Sequence, residues 1–357
     1  LTIWREVYDS THPNEAVVLS FLGQLHADQS QWAEALAMQQ QALVIYQKFF
    51  GEKHPKTATA YQLIGSVYLQ QGADKKALKY IQKALIANVP NFNHTDYRQN
   101  PEITDYYNPT LLINTLLLKA EGLENLHYNK TLRFKDLKAA HETLTLCDLL
   151  IDQQRGVRNS KQDKIALGKV ASELYERAIR LCLAMAEVTP NSSYYRELAF
   201  DFSEKGKASV LLSAISDTKA KEYANIPSQQ LMREQMLKVE ITSLEQKLSD
   251  LINPQEEVML RQELQQLQQS YHLFIDSLEK QFPEYYNLKY NITTVKPAAL
   301  QAFLAPNQAL VSYYIAPNLQ RLYIFTFTKE KYYVRDVPLS PKLEQWILGF
   351  HNGIKYQ

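Results

Sequence analysis

Apolar side chains return every three or four positions through most of the chain. The clearest stretch is Leu237, Ile241, Leu244, Leu248 and Leu251, followed after Asn253-Pro254 by Leu260, Leu264, Leu267, Tyr271, Phe274 and Leu278. That is the helical period, and the proline break predicts an antiparallel helical hairpin over 227–282. From Asn291 onward the pattern changes: Leu310 to Ile315, Leu322 to Thr328 and Tyr332 to Val337 are rich in β-branched and aromatic residues, as strands are. The short links Ala316-Pro317-Asn318 and Thr328-Lys329-Glu330 predict an antiparallel meander. Tyr313, Ile315, Tyr323 and Phe325 alternate as residues of a buried face do. Ser340-Pro341 starts a last helix, over 342–356, placed to shield one face of the sheet.

The first third of the chain repeats itself. His12-Pro13 returns as His54-Pro55, 42 residues on, and at the same offset Leu22-Gly23 falls on Ile64-Gly65, Ala35-Leu36 on Ala77-Leu78, and Gln41-Ala42-Leu43 on Lys83-Ala84-Leu85. Small residues at fixed positions let paired helices approach closely, so residues 12–88 are expected to form two stacked helix pairs with Gly23 facing Ala35 and Gly65 facing Ala77. This resembles the tetratricopeptide repeat in a 42-residue form. Leu1 to Trp4 align with the end of a second helix, so 1–88 reads as repeats with the first one cut. Residues 108–220 read as less regular repeats, with helices from Asn108-Pro109, Phe134, about Asp163 and Ser192; the Pro- and Asn-rich stretch 88–107 is a long connecting loop. In such a stack the first helices of the pairs line a groove. Exposed positions on them, Gln24, Gln62 and Asn114, are the candidate binding residues for a protein or peptide.

Composition narrows the function. Lys plus Arg number 39 against 38 Asp plus Glu, a balance that creates no field to attract nucleic acid. Two cysteines are too few for a disulfide framework, and no apolar run approaches bilayer length. These features fit a reducing, cytoplasmic setting without membrane spans, although a signal peptide of a longer protein would lie upstream of Leu1.

The order of parts carries a second resemblance. Repeats, the helix from Ala199 to Leu212, a helical hairpin and then strands resemble the CHAT family, caspase-like proteins associated with tetratricopeptide repeats in bacteria. Phe200, Glu204, Lys207, Ala208 and Leu211 match the helix that enters a CHAT domain, and Phe282-Pro283-Glu284-Tyr285-Tyr286, Leu300 to Leu304 and the strand pair Ala309–Ile315 and Arg321–Phe327 extend the likeness. The resemblance implies a mainly α chain: a tetratricopeptide-like α-solenoid, a hairpin, then over 291–357 a small α/β unit that opens a caspase-like domain. It also implies that the Cys-His dyad belongs to a missing C-terminal half, so this chain would be the regulatory portion of a peptidase and not itself an enzyme. A tetratricopeptide-repeat scaffold with no enzymatic output is the alternative.

The chain's own chemistry agrees with a non-catalytic reading. His141 and Cys147 lie six residues apart, about 240° around a helix, and so point away from each other. Cys147 takes the repeat position of Ala42 and Ala84, and it and Cys182 read as packing residues. The histidines form no i, i+3 or i+4 metal pair, no phosphate loop occurs, and no cofactor is implied. His12 and His54 read as helix-start residues, Glu256-Glu257 as a solvated surface, and most of the 23 tyrosines as half-buried with the hydroxyl at solvent.

Overall fold

The computed structural model describes residues 12–103, 105–158, 161–215, 226–250, 254–289 and 294–355; the expected helix tail at Leu1 to Trp4 lies outside them. The chain divides into two compact units, Leu1–Leu167 with Ser216–Asn291 and Gly168–Ile215 with Ile292–Gln357. The boundary falls inside the segment 108–220 that the sequence groups as irregular repeats.

In the first unit, α1 (Pro13–Asp28) pairs with α2 (Trp32–Phe50), α3 (Pro55–Gln70) with α4 (Asp74–Asn88), and α5 (Pro109–Leu126) with α6 (Phe134–Val157). The first helix of every pair has proline in its opening turn and a side chain capping it. His12 Nδ1 accepts from the Asn14 amide at 3.2 Å, His54 Nδ1 from the Lys56 amide at 3.0 Å, and Asn108 Oδ1 from the Leu111 amide at 2.8 Å. The His-Pro motif is therefore a cap: an unprotonated imidazole nitrogen takes the place of the usual hydroxyl or carboxylate, and proline adds no orphan N–H.

The 42-residue offset holds in the packing. Ala35 and Ala77 are fully buried; a Cβ on Gly65 would come within 3.4 Å of the Ala77 carbonyl and 2.7 Å of Ile81 Cγ1, as the sequence places it, whereas one on Gly23 would meet Gln39 Nε2 at 2.6 Å, one turn beyond Ala35. Gln39 turns its amide inward and donates to the Ser20 carbonyl at 2.9 Å.

The described residues of 89–107 form no helix or strand, and side chains replace the missing backbone ladder. Lys53 Nζ donates to the carbonyls of Val89, Pro90 and Phe92. Asn88 and Asn108 exchange hydrogen bonds across the two ends of the loop. Arg98 pairs at 2.7 Å with Asp136, which is fully buried, and Lys119, also fully buried, donates to Gln82 Oε1 and the Gln99 carbonyl. Burial pushes the Lys119 pKa down to about 7.

The hairpin forms as expected, from α9 (Ser228–Asp250) and α10 (Pro254–Gln281), followed by α11 (Pro283–Lys289). Ile241, Leu244, Leu264 and Tyr271 make one buried cluster with Val157 of α6; Phe274, Leu278 and Tyr285 make another with Ile226. Tyr285 departs from the expected half-buried tyrosine. It is fully buried and donates at 2.6 Å to Glu234, which in turn pairs with Lys238.

The second unit lays α7 (Lys161–Val188), from Gly168 on, and α8 (Ser192–Ile215) against a three-stranded antiparallel sheet of β1 (Ala309–Ala316), β2 (Arg321–Thr328) and β3 (Tyr332–Pro338), in the order β1-β2-β3. Phe200 of α8 meets Phe325 and Phe327 at ring distances of 5.4 and 4.8 Å. Gly206 makes room for β1: a Cβ there would lie 2.6 Å from the Tyr314 ring. Buried Glu176 of α7 accepts from the amides of Asn318 and Leu319 and from the Asn318 side chain, fixing the β1–β2 turn.

One expectation for this unit is corrected. Tyr323 and Phe325 are fully buried, whereas Tyr313 and Ile315 are about half exposed; the register sets Tyr314 opposite Tyr323, so the even-numbered residues of β1 face the helices. The last helix, α13 (Leu343–Lys355), leaves Trp346, Ile347 and Leu348 more than half exposed. The remaining short helix is α12 (Pro297–Phe303), whose Gln301 donates to the Thr328 carbonyl.

Candidate functional site

The three candidate residues have different surroundings. Gln24 on α1 and Asn114 on α5 are exposed. Gln62 on α3 is half-buried, and its amide donates at 3.1 Å to Thr115 Oγ1 of α5, tying one helix pair to the next. Its register explains this: Gln62 stands one turn before the position that corresponds to Gln24, where the helices of successive pairs touch. Phe21 and Leu25, on either side of Gln24, are 65% and 52% exposed, so this face of α1 offers apolar area as well as an amide. Residue pairs of that kind suit a protein segment better than a small polar ligand.

A second feature of the first unit escapes sequence reading because its residues lie up to about 200 positions apart. The starts of α3 and α5, the end of α6 and the hairpin helices enclose a cleft of about 410 Å³ lined by His54, Lys56, Tyr107, Arg158, Glu245 and Arg261, among others. Glu257 is 5% exposed, not solvated as the sequence suggests. Its carboxylate accepts from His54 Nε2 at 2.7 Å and from the Arg261 guanidinium, whose plane lies over the Tyr107 ring at 4.7 Å. Arg158 reaches Glu245 at 3.3 Å and Thr110 at 3.4 Å.

The electrostatics assign protonation states. His54 Nδ1 accepts a backbone N–H while Nε2 faces a carboxylate, which defines the neutral Nε2–H tautomer. Burial lowers the imidazole pKa and outweighs the pull of Glu257. Burial opposes the Glu257 carboxylate too, yet hydrogen bonds and charge from His54 and Arg261 together hold its pKa below the usual range. Glu245 lies above that range because of its burial. Acid and base are spent on one another here, so the cleft joins the hairpin to the repeats. The only hint of it in the sequence is the histidine of the His-Pro motif, whose second ring nitrogen is left over once the first has capped the helix.

The cysteines stand apart from this chemistry. Cys147 is fully buried on α6, with Sγ 3.8 Å from the Ile113 carbonyl. Cys182 is fully buried on α7, and burial raises its thiol pKa far above the ordinary value, which suppresses the reactive thiolate. Among the described residues no group of three or more His, Cys, Asp and Glu side chains is placed to hold a metal, and no helix is long and apolar enough to cross a membrane.

Fold and surface together define an α-solenoid of helix pairs with a small α/β unit. Residues 1–48 and 18–85 each match the tetratricopeptide-repeat family. No curated protein matches the chain.

Proposed function

We propose that the chain is a protein-binding scaffold that receives an extended or helical protein segment along the first helices of its repeats. The observation that carries this reading is the face of α1, where Phe21 and Leu25 flank exposed Gln24. Solvent-exposed aromatic and leucine side chains beside an amide supply anchor area and orientation together. The test is affinity capture from a native lysate, with partners identified by mass spectrometry and remeasured against Phe21→Ala, Gln24→Ala and Asn114→Ala. Loss of a reproducible protein partner by about tenfold in affinity on Phe21→Ala supports the reading, as a truncated anchor costs about 1–2 kcal/mol. Recovery of nucleic acid alone, or partners indifferent to all three changes, refutes it.

A more specific reading is that this scaffold is the regulatory portion of a bacterial CHAT-type, caspase-like cysteine peptidase, acting in the cytoplasm, with the dyad outside this chain. Its support is the placement of the α8 residues that carry the resemblance, with Phe200 against Phe325 and Phe327, and Lys207 bonded to Glu204 and to Ser312 of β1. The coding sequence beyond the Gln357 codon tests it. A His-Gly segment followed by a small-residue-flanked Cys supports the peptidase; their absence leaves the scaffold alone.

A further inference from the structure

We propose that β1 is a self-pairing edge, joining two copies of this chain β1 to β1 about a twofold axis perpendicular to the sheet, so that two three-stranded sheets become one of six strands. Among the described residues both β1 and β3 are edges of the sheet, and they differ in how they are defended. Edge strands usually carry charge or proline that discourages pairing with another chain. β3 carries Arg335, Asp336 and a terminal Pro338, while β1, Ala-Leu-Val-Ser-Tyr-Tyr-Ile-Ala, has neither charge nor proline across eight residues. Its outward side chains are apolar and open to solvent, with Val311 43%, Tyr313 56% and Ile315 49% exposed.

The register selects the partner. A twofold axis perpendicular to the sheet keeps the outer face outside, and it must bring residues of like parity opposite one another. Centred on Tyr313, it sets Tyr313 against Tyr313 of the second copy, Val311 against Ile315 and Ile315 against Val311. The six side chains then make one apolar patch of aromatic and β-branched cross-strand pairs. On the inner face the same register sets Ser312 against Tyr314 and Leu310 against Ala316, and the charges that reach this face, Lys207 and Glu204 at Ser312, are paired with each other. The equivalent pairing of β3, centred on Arg335, would oppose Arg335 to Arg335 and Val334 to Asp336, and like charges directly opposite are destabilising. The charges and proline on β3 therefore favour β1 as the pairing edge. An eight-residue edge buries less than the roughly 1,600 Å² of a standard interface, so the dimer is reversible, with a dissociation constant on the order of micromolar.

Sedimentation of the full chain over a concentration series should show the mass rising from 41.3 kDa to twice that value. Val311→Lys should weaken dimerisation about tenfold or more by setting a charge into the apolar patch against Ile315 of the second copy and leave the circular dichroism unchanged. Independently, Tyr313→Cys should give an interchain disulfide under copper-phenanthroline oxidation, whereas Tyr333→Cys, a similarly exposed position on β3, should not. A chain that stays monomeric to hundreds of micromolar, its edge left to some other strand, overturns the proposal; so does cross-linking at Tyr333→Cys as fast as at Tyr313→Cys. If Val311→Lys disturbs folding, the cysteine pair alone decides.

Discussion

Replacing His54 by Asn separates the two tasks of that side chain. Asparagine is as good a helix cap as any residue, so α3 keeps its start, but its short amide withdraws from Glu257. The carboxylate then loses a hydrogen bond of 2.7 Å at a place where His54 and Glu257 side chains are 11% and 7% exposed, and it keeps Arg261. Losing one hydrogen bond to a buried charged group costs about 1.5–3 kcal/mol. His54→Ala should cost roughly 1 kcal/mol more, the worth of the cap. Glu257→Gln should cost about as much as His54→Asn, and the double change should be much less than additive, as contacting residues are. Urea unfolding followed by circular dichroism gives the energies, and amide exchange along α10 shows where protection is lost. Additive effects of His54→Asn and Glu257→Gln, or losses under about 0.5 kcal/mol, would refute the joint. Acid tests the same contact. Because the folded His54 pKa is lowered, the unfolded chain binds more protons as pH falls through about 6.5, so this stability is complete above that value and declines below it. Glu257, also lowered, adds a further loss below about pH 4.5.

Lys119 should extend the same sign of dependence to the alkaline side: with a folded pKa of about 7 against an ordinary value near 10.4, it makes stability climb as pH rises from 7 toward 10, and Lys119→Met should flatten that slope in urea unfolding measured at each pH. Gly206→Ala should destabilise by about 1–3 kcal/mol because its Cβ meets the Tyr314 ring at 2.6 Å in a packed site, while Gly168→Ala, with nothing within 4 Å of its Cβ, should stabilise by about 0.5–1 kcal/mol through helix propensity; thermal unfolding distinguishes the signs. Ala77→Leu, placed at a fully buried position, should cost about 1–3 kcal/mol by overpacking, measured in the same way.

The periodic signals determined the elements. Helix spacing, the Asn253-Pro254 break and the strand compositions fix the hairpin, the helix pairs and the meander because period and proline chemistry are local properties of the backbone. The 42-residue offset likewise gave the pairing of α1 with α2 and α3 with α4, since the same small residues recur at the same crossings. Other features were decided only by tertiary structure. Which side of β1 is buried depends on where Gly206 lets Tyr314 lie, and alternation alone gives two equivalent faces, which is why Tyr313 and Ile315 were misassigned. Glu257 looked like any acidic residue of a Gln-rich helix until the hairpin turned back and set it against His54, 203 positions away. Gln62 looked as open as Gln24, yet one helical turn moves it from the surface into the contact with Thr115. A sequence records which face a residue takes within its own helix or strand; the element that comes to cover that face is set by packing between distant parts of the chain.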